Sequence, residues 1–156
     1  MSDASAKQPL RQNRNRIDHV AFLTRPENFD ATTKRAADLL GLDYDGPYDF
    51  DELGIRICID WHAGIEFIAP IDPTKATLQA AFIEEHGEGF FRLVFGVTDL
   101  ESALNHVGKS GLKAGLSVDG LVIDPAWRDR FHRIDEATIG EIVPGVFITL
   151  GQIEPK

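Results

Sequence analysis

The sequence has 156 residues, of which 43% are hydrophobic and 26% charged, and its formal net charge is −9. This length suffices for one hydrophobic core, so we expect a single domain over residues 17–152 after a flexible tail at residues 1–16. The negative charge argues against a nucleic acid or an anionic membrane as partner, because each requires a concentrated basic surface. The one basic cluster lies at the tail and consists of Arg11, Arg14 and Arg16.

The hydrophobicity pattern of the sequence predicts neither a membrane span nor an export signal. No segment approaches the roughly 18 apolar residues that span a bilayer, and residues 1–16 contain no apolar run typical of a signal peptide. We therefore expect a cytoplasmic protein. Cys58 is the only cysteine, which excludes an intramolecular disulfide. Its place in the apolar run Ile55–Ile59 favours a packed strand residue over a nucleophile.

The first elements in chain order are a strand and a helix. The apolar run Ile17–Thr24 predicts the strand. Asp30 is suited to cap the helix, and Gly41 is suited to end it in a left-handed conformation. The apolar residues of this helix, which we expect to face inward, are Ala36, Ala37, Leu39 and Leu40.

A turn-rich stretch at residues 43–51 precedes two strand candidates, residues 54–61 and 64–69. A second helix then connects the two halves of the chain. Asp72 and Pro73 provide the signals for its start, and its predicted inner residues are Leu78, Ala81 and Phe82. Its predicted end is His86-Gly87.

The second half repeats this order. Residues 90–97 predict a strand, and Asp99 caps a helix that Gly111 closes. The remaining predicted segments are strands at residues 112–118, 120–123 and 145–150, separated by a polar loop at residues 123–141. When His19 is superposed on Arg92, the following apolar residues coincide, which indicates a weak internal duplication.

Four segments in this order resemble the vicinal oxygen chelate superfamily, in its glyoxalase and methylmalonyl-CoA epimerase group. These segments are Ile17–Ala21, Gly64–Pro70, Phe91–Asp99 and Gly145–Leu150. The resemblance implies an α+β fold of two βαβββ modules that form one cupped mixed sheet. It also implies a homodimer and a divalent metal held in the cup by one side chain from each of four strands.

Two of the four implied ligand positions are suitable and two are not. Alternation along a strand directs His19 and Glu66 into the cup, at positions that match family ligands. The other two positions carry Arg92 and Thr149, or Phe147 if the last strand is shifted by two residues. Because arginine has no lone pair to donate, we expect either no cofactor or a weakly bound divalent metal on His19 and Glu66.

The functional residues follow from the same positions. Arg92 either forms an ion pair with Glu66 or binds an anionic oxygen of the substrate, together with Thr149 and Phe147. Glu66 and His19 are the candidates for proton transfer. The polar residues that alternate with isoleucines in the next strand could also face the cup, which would make one wall polar; they are Arg56, Cys58 and Asp60.

The resulting functional hypothesis is a small-molecule isomerase, epimerase or lyase that stabilises an oxyanion or enolate of an anionic substrate. One alternative is a metal-free protein that sequesters a small aromatic or carboxylated compound. A second is a metal-dependent dioxygenase, which would need a ligand where Arg92 stands. The polar loop at residues 123–141 could cover the cup, contact a dimer partner or be solvated.

Overall fold

A computed structural model describes residues 15–115, 117–123 and 125–156, and within them eight strands form one mixed sheet. The strands are β1 (Arg16–Leu23), β2 (Asp45–Phe50), β3 (Ile55–Asp60), β4 (Ile65–Pro70), β5 (Gly89–Gly96), β6 (Ser117–Asp119), β7 (Phe131–Val143) and β8 (Val146–Pro155). The α-helices are α1 (Phe29–Leu40), α2 (Thr77–His86), α3 (Leu100–Lys109) and α4 (Gly120–Ile123). Short 3-10 helices occupy Pro26–Asn28 and Pro125–Asp129. None of the described helices is long and apolar enough to cross a bilayer.

The sheet consists of two equivalent halves. Its strand order is β2-β3-β4-β1-β5-β8-β7-β6, in which β1 pairs in parallel with β4, and β5 pairs in parallel with β8. The antiparallel pair of β1 and β5 joins the halves at the centre. This arrangement confirms the predicted α+β fold of two βαβββ modules.

The register shows which positions of the two halves correspond. Ala21 pairs with Glu66 in the first half, and Val94 pairs with Thr149 in the second. Ala21 lies two residues after His19, and Val94 lies two residues after Arg92. Glu66 and Thr149 therefore occupy equivalent positions in the two halves of the sheet.

The first helix confirms its predicted end but not its start or its inner face. Gly41 has a φ of 68°, and its N–H donates to the carbonyl of Ala37. The helix begins at Phe29, directly after the 3-10 helix, so Asp30 lies in its first turn. Phe29 and Thr33 are the buried residues, whereas Leu39 and Leu40 are 70% and 63% exposed.

Two other predictions in the first half are wrong. The stretch at residues 43–51 contains β2, an edge strand in which a proline is tolerated because its missing N–H interrupts no pairing with an outer neighbour. Helix α2 starts at Thr77, because the carboxylate of Asp72 accepts hydrogen bonds from Thr74 and holds a separate turn. Gly87 ends this helix as expected, with its N–H donating to Ile83.

The second half departs from the sequence predictions after α3, whose cap Asp99 accepts a hydrogen bond from the Ser102 N–H as expected. The strands predicted at residues 112–118 and 120–123 are reduced to β6 and the helical turn α4, and Leu116 lies outside the described residues. The loop predicted at residues 123–141 is wrong, because Phe131–Val143 forms the 13-residue strand β7.

Candidate active site

A cavity of about 400 Å³ occupies the cup of the sheet. Its walls are mostly apolar and include Phe50, Leu53, Ile55, Ile57, Trp61, Ile68, Leu78, Val118, Trp127 and Ile134. Four ionisable side chains from four different strands also line it, namely His19, Glu66, Arg92 and Glu136, and Lys75 lines it from the segment between β4 and α2. An apolar cavity of this size with a few convergent polar groups is typical of a small-molecule site.

The four side chains form one connected cluster, which we call the cup cluster. Arg92 Nη2 donates a hydrogen bond to Glu66 Oε2 at 3.0 Å and lies 3.4 Å from Glu136 Oε2. His19 Nε2 lies 3.6 Å from the same Glu66 oxygen and 3.7 Å from Glu136 Oε1. Each cation therefore faces both carboxylates.

A hydrogen bond to Asp18 also fixes the orientation of the His19 ring. Its Nδ1–H donates to Asp18 Oδ1 at 2.8 Å, and the ring is only 2% exposed. Burial alone would lower the pKa of His19, but the carboxylates of Asp18, Glu66 and Glu136 outweigh it and raise the pKa to about 9. The imidazole is therefore protonated at neutral pH.

The charges of Glu66 and Arg92 stabilise each other. Burial alone would raise the pKa of Glu66, but Arg92 and His19 outweigh it and lower the pKa to about 2. Burial alone would lower the pKa of Arg92, but Glu66 and Glu136 outweigh it and raise the pKa. Glu66 is thus a carboxylate that accepts a proton only weakly.

Aromatic rings continue the cluster along one wall. The Trp61 ring meets the His19 ring edge-to-face at 5.7 Å between centroids and the Trp127 ring at 5.2 Å. Phe131, the first residue of β7, lies 4.8 Å from Trp61. These contacts restrict the position of the His19 ring, and Trp61 and Trp127 contribute apolar surface to the cavity.

The structure brings together three of the five predicted site residues, namely His19, Glu66 and Arg92. Thr149 is 1% exposed, and its hydroxyl lies 3.3 Å from that of Thr138, which does line the cavity. Phe147 packs against Phe82 and Phe91 in the core. Neither is among the described residues that line the cavity, and their role in substrate binding stays a prediction.

Sequence reasoning missed Glu136 because it assigned residues 123–141 to a loop. The signal that could have identified it is the alternation of Ile134, Glu136 and Thr138, which all line the cavity from β7. A strand with polar residues on both faces lacks the apolar alternation on which strand prediction depends.

The prediction that the polar residues of β3 face the cup is wrong. Ile57 pairs with Ile68 and lines the cavity, whereas Cys58 pairs with Phe67 and packs with Phe29 on the other side of the sheet. Burial raises the pKa of the Cys58 thiol to about 12, which leaves it protonated. The two other polar residues of this strand also have separate partners: Arg56 donates to Asp49, and Asp60 accepts from the backbone of Asp43, His62 and Ala63.

Comparison with solved structures identifies the architecture. Methylmalonyl-CoA epimerase from Mycobacterium tuberculosis aligns with a TM-score of 0.68 and 20% identity, over 94% of this chain and 93% of that one. A variant of the Streptomyces coelicolor epimerase in complex with 2-nitronate-propionyl-CoA aligns with a TM-score of 0.63 and 18% identity, over 88% of this chain and 96% of that one. The chain has the glyoxalase-like α+β fold of these proteins.

A further epimerase structure, in complex with methylmalonyl-CoA and NH4+, aligns with a TM-score of 0.63 and 18% identity, over 88% of this chain and 94% of that one. No protein-family model matches the sequence, and comparison with curated protein sequences finds no match. The likeness is therefore one of fold alone, and the chemistry must be argued from the cavity itself.

The divalent metal that the resemblance implies does not fit this donor set. The guanidinium of Arg92 lies against carboxylate oxygens of both Glu66 and Glu136. A dication would need the lone pairs of these same oxygens. Arginine donates no lone pair, and its charge repels a second cation. Among the described residues, no three His, Cys, Asp or Glu side chains are grouped as metal ligands.

Replacing Arg92 by histidine is expected to create a metal site. The change removes the competing cation and adds an imidazole beside His19, Glu66 and Glu136, a nitrogen and oxygen set suited to Zn²⁺, Co²⁺ or Ni²⁺. Elemental analysis after incubation with each ion should give well below one equivalent in the wild type and close to one in Arg92→His. The double variant Arg92→His/Glu136→Gln should lose most of that gain. Stoichiometric metal in the wild type would show that Arg92 does not exclude it.

Proposed function

We propose that this protein is a small-molecule isomerase or epimerase that removes and returns a proton next to a carbonyl group in the cup. The observation that carries the proposal is the cup cluster, in which two cations and two carboxylates from four strands meet in an otherwise apolar cavity. Such a site can stabilise the enolate oxygen and accept the carbon-bound proton at once.

The cations have the electrophilic role. Protonated His19 can donate a hydrogen bond or its proton to the developing oxyanion, and Arg92 contributes a second, permanent positive charge. Both are already held in place by ion pairs, so little reorganisation is needed when charge develops.

The carboxylates have the role of base. Glu66 was the base expected from the sequence, yet its pKa of about 2 makes it a weak proton acceptor. Glu136 is the second candidate, since it lines the same cavity with a more exposed side chain, 14% against 6% for Glu66. Proton transfer is thus proposed to divide between a carboxylate base and His19 as acid.

The fold supports this class of reaction by analogy, since three of the solved structures described above are methylmalonyl-CoA epimerases. We propose acyl thioesters and simple ketones as the first substrates to test. A homodimer, which the resemblance also implies, can be checked by sedimentation of the purified chain.

Exchange of substrate protons with D2O tests the proposal directly. The wild type should introduce deuterium next to the carbonyl of at least one ketone or acyl thioester, as measured by mass spectrometry. His19→Ala should lower the exchange rate by about 100-fold or more, since a positioned acid or base contributes this much. Glu66→Gln and Glu136→Gln test the two candidate bases, and the variant that removes the acting base should cause a loss of the same size. Ligand binding should persist, because the apolar walls are unchanged.

His106→Ala provides a matched control, since His106 lies exposed on α3 and outside the cavity. It should exchange at the wild-type rate. If the wild type binds these compounds but exchanges none of their protons, the alternative of a metal-free binding protein replaces the enzyme.

A further inference from the structure

The cup cluster has no spare positive charge. Arg92 faces Glu66 and Glu136 at 3.0 and 3.4 Å, and His19 faces the same two carboxylates at 3.6 and 3.7 Å while also binding Asp18. With His19 protonated, the two cations meet three carboxylates, so the cluster and Asp18 together carry a net charge of −1. With His19 neutral, the excess of negative charge is larger. The sign therefore does not depend on the protonation of His19.

Lys75 is the remaining cation among the described residues that line the cavity, and it does not change this balance. Lys75 is 48% exposed, lies 3.9 Å from Asp72 and donates to the carbonyl of Asp51. A half-exposed, paired lysine is screened by water and contributes little to the field at the buried end.

We infer that the cup binds a ligand whose polar end is an uncharged carbonyl or hydroxyl group on an apolar body, and that it rejects a carboxylate at this position. The Nε–H of Arg92 has no hydrogen-bond partner among the described residues. A ligand carboxylate that accepted from it would still add a fourth negative charge beside two cations and weaken their pairs with Glu66 and Glu136, which is unfavourable. A neutral carbonyl can accept a hydrogen bond without adding charge.

The walls define the rest of the ligand. Four isoleucines, Trp61 and Trp127 enclose the cavity, which favours a compact, non-ionic hydrocarbon body. The inference refines the proposed function by naming its substrate class, and it rests on that proposal only in taking this cavity as the ligand site. It replaces the anionic partner expected from the sequence.

A matched pair of probes tests the inference. Cyclohexyl methyl ketone and cyclohexanecarboxylate have nearly the same shape, differ by one charge, and absorb far more weakly than tryptophan at its excitation wavelengths. The chain contains two tryptophans, and both line the cavity, so binding can be followed by intrinsic fluorescence. At pH 7.5 the ketone should bind at least about tenfold more tightly than the carboxylate, because juxtaposed like charges are strongly disfavoured.

Variants that replace one glutamate by the uncharged glutamine provide a second test of the inference. Glu136→Gln should improve carboxylate affinity by about tenfold or more and change ketone affinity by less than about threefold. Glu141→Gln, the same change at an exposed position of β7, should alter neither affinity. Equal or tighter binding of the carboxylate by the wild type would overturn the inference, as would binding of neither probe.

The ketone also carries exchangeable protons next to its carbonyl, which separates the two proposals. Selective binding of the ketone without deuterium exchange would leave the inference standing and count against the enzyme. Exchange on acyl thioesters together with preferred binding of the carboxylate would support the enzyme and overturn the inference about the ligand.

Discussion

Replacing Arg92 by methionine is expected to destabilise the protein by about 3–5 kcal/mol, the usual cost of removing one partner from a buried ion pair. The change preserves most of the apolar side chain but leaves Glu66 and Glu136 facing each other with His19 as their one cation. Urea unfolding followed by circular dichroism measures the effect.

Arg56→Met serves as the control, since Arg56 pairs with Asp49 in the same sheet but both side chains are more than a third exposed. Its cost should stay below about 1 kcal/mol. The double variant Arg92→Met/Glu66→Gln should recover part of the loss, because it removes one of the unpaired charges. If Arg92→Met were as stable as the wild type, Arg92 would not be neutralising buried carboxylates.

The stability of the fold should depend on pH in a defined way because of His19. A pKa of about 9 in the folded state against 6.5 corresponds to about 3 kcal/mol of stabilisation. A raised pKa means that this contribution is fully present below pH 6.5 and is lost as the pH rises to about 9. The free energy of unfolding should therefore fall across this range.

We call the fall in the free energy of unfolding between pH 6.5 and about 9 the alkaline limb. At low pH the free energy of unfolding should instead fall as the pH decreases, and this acid limb comes from Glu66. Because its pKa is lowered from 4.5 to about 2, its contribution is present above pH 4.5 and is lost as the pH falls towards 2. Stability should consequently be highest between about pH 4.5 and 6.5. Both limbs share the contact between His19 and Glu66, so they are not independent of each other.

Urea unfolding at a series of pH values measures both limbs. His19→Gln should flatten the alkaline limb, whereas His106→Gln on α3 should not. An alkaline limb that persists unchanged in His19→Gln would assign the titration to another group.

Local patterns in the sequence were sufficient for much of the framework. The apolar runs of β1, β4 and β5, the left-handed glycine after α1 and the cap of α3 each depend on neighbouring residues alone, so they are visible without tertiary contacts. The superposition of His19 on Arg92 also required no structure, since an internal duplication preserves the order of elements. These features supported a glyoxalase-like fold of two βαβββ modules, which the structure confirms.

Alternation directed His19 and Glu66 inward correctly, and in β1 the reason is that the buried residues occur at every second position of its later half. β4 is buried along almost its whole length, and there Glu66 itself distinguished the two sets of alternating residues. Alternation failed for β3, where both faces are buried, so hydrophobicity alone cannot distinguish Ile57 from Cys58. Only the pairing of β3 with β4 decided which set lines the cavity.

What the sequence by itself determined was much of the set of short-range elements, and it placed Arg92 at a position where the resemblance implies a metal ligand. The tertiary structure alone decided that Glu136 completes the cup cluster, because polar and apolar residues of β7 follow each other without a regular alternation, and pairing with β8 and β6 fixes the strand. It also decided the charge balance. The four charged groups of the cup cluster interact strongly only because the fold places their atoms 3.0 to 3.7 Å apart across four strands. In the unfolded chain the same groups are solvated and nearly independent of one another.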